Sequence, residues 1–281
     1  MPDIHDIAPT LKKADDGIWY GPEEVTISYP ADGNDSCFAV EEHSFWFKHR
    51  NVCITNVAAA FPPVDGGPVF DIGGGNGFVS LGLANAGFDV VLVEPGRSGV
   101  ANAKKRGLTN VICATMQTAQ FKENSLPAVG LFDVLEHIKD DKAFLQSIHA
   151  LLKNDGILYL TVPAYAFLWS NEDDSAGHFR RYTLKSASGV LSAAGFEILY
   201  ASCIFRFLPL PIFLFRTLPY KLGRANRAKD HKKTEKEHTA PGSLAACILN
   251  RMLTAEEINI RNKKAMRVGA SCLLVAKKVK R

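Results

Sequence analysis

Asp71, Gly73, Gly75 and Gly77 fall at alternate positions in VFDIGGGNGFVS, where an apolar run breaks into glycines and then resumes. Glycine leaves the backbone bare, so a ligand can lie directly against it, and it tolerates the tight turns such a loop needs. An acid, Glu94, closes the next apolar run, FDVVLVEP. At that spacing a carboxylate can accept hydrogen bonds from a vicinal pair of hydroxyls such as a ribose offers. A solvated acid at a strand end is the plainer reading. The dinucleotide pattern G-x-G-x-x-G fails: started at Gly73 or Gly75, its last position holds Phe78 or Ser80. Farther along, WSNEDDSAGHFRRYT gathers Asp173, Asp174, His178, Arg180 and Arg181 in one loop. Carboxylates beside an imidazole can orient or deprotonate a hydroxyl, and the arginines can hold an anion. The alternative is a lid held by Arg–Asp pairs, with His178 capping a backbone group.

These groups act together only if the chain brings separate segments to one edge. From residue 69 onward the pattern alternates between strand and helix. Val69–Ile72, FDVVLVEP, NVICAT, AVGLFDVL, ILYLTVP, FEILYASCIF and ASCLLVAKK read as seven strands. Between them, KAFLQSIHALLK places Phe144, Leu145, Ile148, Leu151 and Leu152 on one helical stripe, and Thr183 is placed to cap TLKSASGVLSAAG. The expected fold class is therefore α/β and Rossmann-like, a mostly parallel seven-stranded sheet with helices on both faces. In such a sheet a ligand sits outside the carboxyl ends of the strands, where the glycine loop and the His178 loop both lie.

The pattern Asp-x-Gly-x-Gly-x-Gly, read through Asp71, Gly73, Gly75 and Gly77, resembles the first motif of class I S-adenosylmethionine-dependent methyltransferases. FDVLEHIKDD is similar to the fourth motif in the branch of that family that methylates small molecules and quinones. GHFRRYT resembles a segment found after the fifth strand in many bacterial methyltransferases of this type. The resemblance implies S-adenosyl-L-methionine as cofactor, with Asp71 and the glycines against its methionyl and ribose parts. It also implies Glu94 on the ribose hydroxyls, Asp133 beside the methionyl amino group, and Glu136 and His137 shaping the cleft. His137 is assigned a catalytic place with His178 and Asp174; the bland reading makes it a helix-start residue that orients its loop. Family members commonly carry an acid after the third strand to hold the adenine. Here Ala114, Thr115 and Met116 stand instead, and Thr115 and Met116 are expected to take that role.

Two stretches lie outside the nucleotide motifs. EEHSFWFKHRN, from Glu41, is expected to begin a helix reaching about Ala60, whose inward face includes Arg50 and Asn51. Inward polar groups need partners, so Arg50 is assigned to the cofactor's carboxylate, or else to a structural acid. Trp46 is core, or a cation–π partner for a sulfonium. The second stretch, residues 206–260, is read as an apolar and basic helical insert before the last strand. Residues 205–233 combine phenylalanines and leucines with Lys221, Arg224, Arg227, Lys229, Lys232 and Lys233. That composition suits peripheral contact with an anionic membrane, or a helical lid or homodimer contact.

The expected organisation is an N-terminal extension or cap over 1–40 and a methyltransferase domain over 41–281. A net charge of +4 is too small to argue for nucleic acid. The histidines and cysteines lack metal-ligand spacing, so no metal is expected. Cys113 and Cys272 read as buried thiols of a reducing compartment, and no apolar leader is visible, so the expected location is cytoplasmic or membrane-peripheral. The expected reaction is transfer of a methyl group to a small-molecule or lipid-linked acceptor, at oxygen. An NAD(P)-binding oxidoreductase and a non-catalytic S-adenosylmethionine-binding protein stay open as alternatives.

Overall fold

The computed structural model describes residues 3–22, 33–223 and 243–279. The chain runs through α1 (Ile4–Ile7), β1 (Lys12–Lys13), β2 (Trp19–Tyr20), α2 (Gly33–Glu41) and α3 (Phe45–Ala60). Alternation follows: β3 (Val69–Ile72), α4 (Phe78–Asn85), β4 (Val90–Val93), α5 (Arg97–Lys105), β5 (Val111–Cys113), α6 (Met116–Ala119) and β6 (Leu126–Phe132). Next come α7 (Asp141–Leu151), β7 (Leu152–Pro163), α8 (Asn171–Ala176), α9 (Leu184–Ala193) and β8 (Phe196–Ile204). Last are α10 (Pro209–Ile212), α11 (Leu218–Lys221), α12 (Ser243–Arg261) and β9 (Ser271–Lys278).

Among the described residues one sheet runs in the order β1-β2-β5-β4-β3-β6-β7-β9-β8. Pairing is parallel from β2 to β7, while β9 enters antiparallel between β7 and β8. The seven expected strands are all present. The other two come from the N-terminal stretch, where Trp19 and Tyr20 pair with Ile112 and Cys113 along β5. Ile4, Ile7, Ala8 and Leu11 are buried in the same cluster as Phe70 and Phe121. Residues 4–20 thus extend the sheet and its core rather than stand apart as a cap.

Every residue of β3 and β4 is buried, as strands covered on both faces require. Alternate residues divide between two cores. Phe70, Val129 and Leu160 pack with Leu145, Ile148 and Leu191 of α7 and α9. Val69, Ala128, Tyr159 and Leu273 pack with Ile54, Val57, Leu253 and Ile260 of α3 and α12. At β3 the strand order reverses, with β4 on one side and β6 on the other. The loops leaving β3 and β6 therefore diverge and open a crevice at their carboxyl ends.

The helix expected to begin in the stretch from Glu41 and to reach Ala60 is α3, which starts at Phe45. α2 ends at Glu41, and Ser44 Oγ then accepts the Trp46 and Phe47 N–H groups at 3.2 and 3.4 Å to cap α3. In the insert, a π turn over Phe213–Thr217 joins α10 to α11, and α12 packs against α3 in the second core. Most of the expected basic run, including Arg224, Arg227, Lys229, Lys232 and Lys233, lies outside the described residues. No helix among the described residues is long and apolar enough to cross a membrane.

Candidate functional site

The loop Gly73–Gly77 lies across the floor of the crevice. A side chain at Gly74 is impossible without rearrangement: its Cβ would fall 2.3 Å from Leu92 Cδ1 and 2.7 Å from Asp71 Oδ2. Gly75 has φ +53° and donates its N–H to Glu94 Oε2 at 3.0 Å. Glu94 Oε1 accepts the Gly96 N–H at 2.7 Å. The loop and the strand-end acid are therefore one hydrogen-bonded unit. Burial pushes the Glu94 carboxyl up even against these two donors. Beneath the loop, Asp71 Oδ2 accepts the Ser80 hydroxyl at 2.6 Å, and Oδ1 has no hydrogen-bond partner among the described residues. Complete burial pushes the Asp71 carboxyl up to about 6.

Over this floor is a cavity of about 760 Å³. Asp71, Gly73–Asn76, Glu94 and Pro95 line one end, and Asp133, Glu136, His137, His178 and Arg181 the wall beside it. Asp133 follows β6 with φ +58°, a conformation that costs a non-glycine residue energy and recurs at functional sites. Thr161 Oγ1 donates to its Oδ1 at 2.9 Å, and Arg50 Nη1 pairs with its Oδ2. The Arg50 guanidinium also lies 5.0 Å from the centre of the Trp46 ring, which stacks on Phe205.

Along the same wall, Asp173 organises the polar loop. Its Oδ1 receives His178 Nδ1 at 2.8 Å and Arg181 Nε at 2.7 Å, and its Oδ2 receives the Ser170 N–H at 2.9 Å. Burial disfavours the charged form, but these donors together hold the Asp173 carboxyl below its ordinary value. The His178 and His137 rings meet edge to face with centres 4.8 Å apart. Burial, with His178 adjacent, pushes His137 down to about 4, so its imidazole is neutral at neutral pH. Burial and then the neighbouring Asp133 push the Glu136 carboxyl well up.

Apolar side chains make up much of the remaining lining: Phe45, Trp46 and Phe47 of α3 and Phe132, together with Leu208, Pro211, Ile212 and Phe215 of the insert, with Arg216 among them. One cavity thus has a polar end at the glycine loop, a His–Asp pair along its wall and an apolar lining from α3 and the insert.

Asp71, Gly73, Gly75, Glu94, Asp133, Arg50, His137 and His178 all line this cavity; Gly77, Thr115, Met116 and Asp174 do not. Gly77 sits behind the loop, where its Cβ would meet Leu108 and Ala103. β5 ends at Cys113 and the chain turns at once into α6, so Thr115 is engaged in a capping box with Thr118 and Met116 is buried in the core. Asp174 accepts Trp169 Nε1 at 2.9 Å and the Tyr220 hydroxyl at 2.7 Å, tying the loop to the insert. Asp173, one residue earlier, is the acid that faces His178. Arg50 points inward as expected, onto the acid Asp133, whereas Asn51 donates to the Phe78 carbonyl at 2.9 Å, away from the cavity. The histidines that lack ligand spacing in sequence come together: ligand atoms of Glu136, His137 and His178 lie within 4.8 Å of one another.

Sequence reasoning missed the contribution of α2. Asn34, Cys37 and Glu41 line the cavity, and Asn76 bonds to Asn34 and Glu41. Asn76 Nδ2 donates to the Asn34 carbonyl at 2.7 Å and its Oδ1 accepts from Asn102 at 3.1 Å. Arg106 Nη1 joins the Asn76 carbonyl at 2.8 Å to Glu41 at 2.7 Å. The signal was present: Asn76 is the one loop residue between Gly73 and Gly77 that carries a side chain.

Comparison with known proteins places these features in context. A family described as a methyltransferase domain matches residues 45–201. A ubiquinone biosynthesis O-methyltransferase of Colwellia psychrerythraea is 28% identical over 99 residues, covering 33% of this chain and 40% of that protein. One from Actinobacillus pleuropneumoniae is 33% identical over 107 residues, covering 34% and 45%. The matched segment thus spans less than half the length of these relatives. In fold, the chain is similar to the cyclase SpnF, with a TM-score of 0.57 and 20% identity over 89% of this chain and 93% of that one. It is also similar to a Haemonchus contortus phosphoethanolamine N-methyltransferase solved with S-adenosyl-L-methionine. That TM-score is 0.53, with 18% identity over 89% and 58% of the two chains.

Proposed function

The chain belongs to the class I S-adenosylmethionine-dependent methyltransferases, and from that premise we propose that it methylates an oxygen of a small acceptor carrying an apolar, lipid-like portion. S-adenosyl-L-methionine is the cofactor. The cavity suits it: a bare glycine loop, a carboxylate at the end of β4, and an Asp71 oxygen left without a partner. The family match sets aside the NAD(P) oxidoreductase that the sequence left open.

In this reading the backbone of Gly73 and Gly75 holds the body of the cofactor, and Glu94 the ribose hydroxyls. Asp133 receives the amino group and Arg50 the carboxylate of the methionyl part. When bound, the cofactor supplies a methyl group on a sulfonium, open to direct displacement by a nucleophile. The protein's task is then alignment, which can lower a barrier by roughly 7–11 kcal/mol. A hydroxyl acceptor must also lose its proton. Asp173 takes the Nδ1–H of His178, which leaves Nε2 as the nitrogen with a lone pair to receive it. Arg181, fixed on the same carboxylate, adds positive charge beside an acceptor anion.

The observation that carries the acceptor class is a cavity lined by apolar side chains of the insert. Phe215 lines it and is also 72% exposed, beside exposed Leu210, Leu214, Leu218 and Leu222. That apolar surface continues from the cavity to solvent, next to Arg216 and Lys221, and the sequence goes on into a basic run. Such a surface suits peripheral contact with anionic lipid, from which a membrane-borne acceptor would enter. We accordingly take residues 208–216 of the insert as the acceptor-side wall of the catalytic domain.

A homologous series of phenols with lengthening alkyl tails tests the acceptor class. Each buried methylene is worth about 0.8 kcal/mol, so kcat/KM should rise about fourfold per carbon until the cavity is filled. Rates indifferent to the tail would sink the lipid-like acceptor and leave a small polar one.

A further inference from the structure

We propose that Glu256 of α12 is a positioning residue for the reaction: through His49 and the backbone at Phe205 it fixes Trp46 and the start of the insert. Glu256 is 2% exposed, far from the glycine loop in sequence, and takes no part in the chemistry described so far. Its Oε2 accepts the Phe205 N–H at 2.8 Å and bonds to His49 Nε2 at 3.0 Å, and its Oε1 accepts the Arg206 N–H at 2.6 Å. The other ring nitrogen of His49 meets Glu257 Oε1 at 3.1 Å. One buried carboxylate of α12 thus ties α3 to the point where β8 gives way to the insert.

The backbone needs holding at that point. Phe205 has φ +61°, a conformation that a bulky residue keeps only where its surroundings enforce it. Its buried ring stacks on Trp46 with centres 5.4 Å apart and meets the His49 ring at 5.1 Å. Trp46 lines the cavity and carries the Arg50 guanidinium 5.0 Å from its centre. Leu208, Pro211, Ile212 and Phe215, which follow Phe205 in the chain, line the same cavity. Glu256 is therefore one contact removed from both α3 and the insert where they meet a ligand.

Adhesion alone does not require such a group. Val57, Leu253 and Ile260 already join α3 and α12 in an apolar core, and exchanging a buried ionic group for apolar ones is often neutral or stabilising. Glu256 supplies direction instead, because hydrogen bonds to two consecutive N–H groups fix the angle at which the chain leaves β8. Methyl transfer depends on alignment, and a displacement of about 1 Å far from the reacting atoms can cost about 10²-fold in rate. This role rests on the reading of residues 208–216 as the acceptor-side wall.

Glu256→Gln keeps the shape but turns one oxygen into a donor facing donors. In the full chain it should lower kcat/KM for a tailed phenol by about 10²-fold, with calorimetric affinity for S-adenosylmethionine nearly unchanged. Phe205→Leu keeps the backbone bonds and removes the stack; it should show the same loss, and the double variant little more than either alone. His49→Gln, which still offers Glu256 an N–H, should retain more activity than His49→Leu. Trp46 emission, read in a Trp19→Phe, Trp169→Phe background where it is the one remaining tryptophan, should shift to the red in Glu256→Gln. A lowered melting temperature with kcat/KM and Trp46 emission unchanged overturns the role, as do losses that add in the double variant. Should Glu256→Gln not fold, equal activity of His49→Gln and His49→Leu overturns it. A parent that prefers no tailed phenol strikes the acceptor reading instead, and Trp46 emission in the same variants then decides the role of Glu256 by itself.

Discussion

Arg50 and Asp133 stand 83 positions apart in the chain and meet as an ion pair at the wall of the cavity. Thr161 holds the second Asp133 oxygen, and Trp46 and Phe47 flank the guanidinium. In the proposed reading the pair is a template for a zwitterion. An amino acid group entering between the two residues would offer its ammonium to Asp133 and its carboxylate to Arg50, replacing one ion pair with two. Asp133→Asn should therefore weaken S-adenosylmethionine binding and also leave Arg50 buried without its anion. Breaking a fully buried pair costs about 3–5 kcal/mol. Partial exposure of Asp133 reduces the expected loss of stability to about 1–3 kcal/mol. Unchanged melting and unchanged calorimetric affinity would show that the pair holds neither fold nor ligand.

Glu94 is the acid expected on the cofactor's hydroxyls. Glu94→Gln keeps one oxygen to accept from Gly75 or Gly96 and removes the charge. Affinity for S-adenosylmethionine should fall by about 1–3 kcal/mol, the value of a hydrogen bond to a charged group. A folded variant that binds as tightly as the parent by calorimetry would remove Glu94 from the site.

His178 and Asp173 should act as a unit. His178→Ala is expected to cut turnover by roughly 10²–10⁴-fold while leaving cofactor affinity within a small factor. Asp173→Asn should follow it in kcat, and a double variant should lose little more than either single one. Loss of cofactor affinity with kcat intact would make this loop a cofactor lid.

His137 gives a test in pH. Its ordinary pKa is near 6.5 and its folded value is about 4. Between those values the unfolded chain binds a proton that the folded chain refuses, so stability falls as pH is lowered from about 6.5 towards 4. His137→Gln removes that term. In chelator, its stability relative to the parent should improve by on the order of 1–3 kcal/mol between pH 7 and pH 4.5, read from urea melts. A constant difference across that range would mean that His137 is not held neutral by burial.

The sheet was legible because its strands are short apolar runs divided by glycines and capped helices; Thr183 caps α9 as expected. The glycine-loop end of the cavity was legible for the same reason, since Asp71, Gly73, Gly75 and Glu94 belong to one strand–loop–strand unit. What escaped depends on contacts between distant segments. Nothing local distinguishes Asp173 from Asp174; the choice is made by Arg181 and His178 folding back on the first and Tyr220 reaching the second. The engagement of Thr115 in capping α6 depends on where β5 stops, which no local pattern announces. The lining by α2 rests on a buried network through Asn76, Asn102, Arg106 and Glu41, with no sequence period to announce it.

Incubation of the protein with methyl-labelled S-adenosylmethionine and a cellular lipid extract tests the central claim most directly. The account predicts label in an organic-soluble product as a methoxy group, together with release of S-adenosylhomocysteine, and predicts that His178→Ala slows both by roughly 10²–10⁴-fold. Label that appears only in water-soluble or nitrogen-methylated products, or that never leaves S-adenosylmethionine, would contradict it.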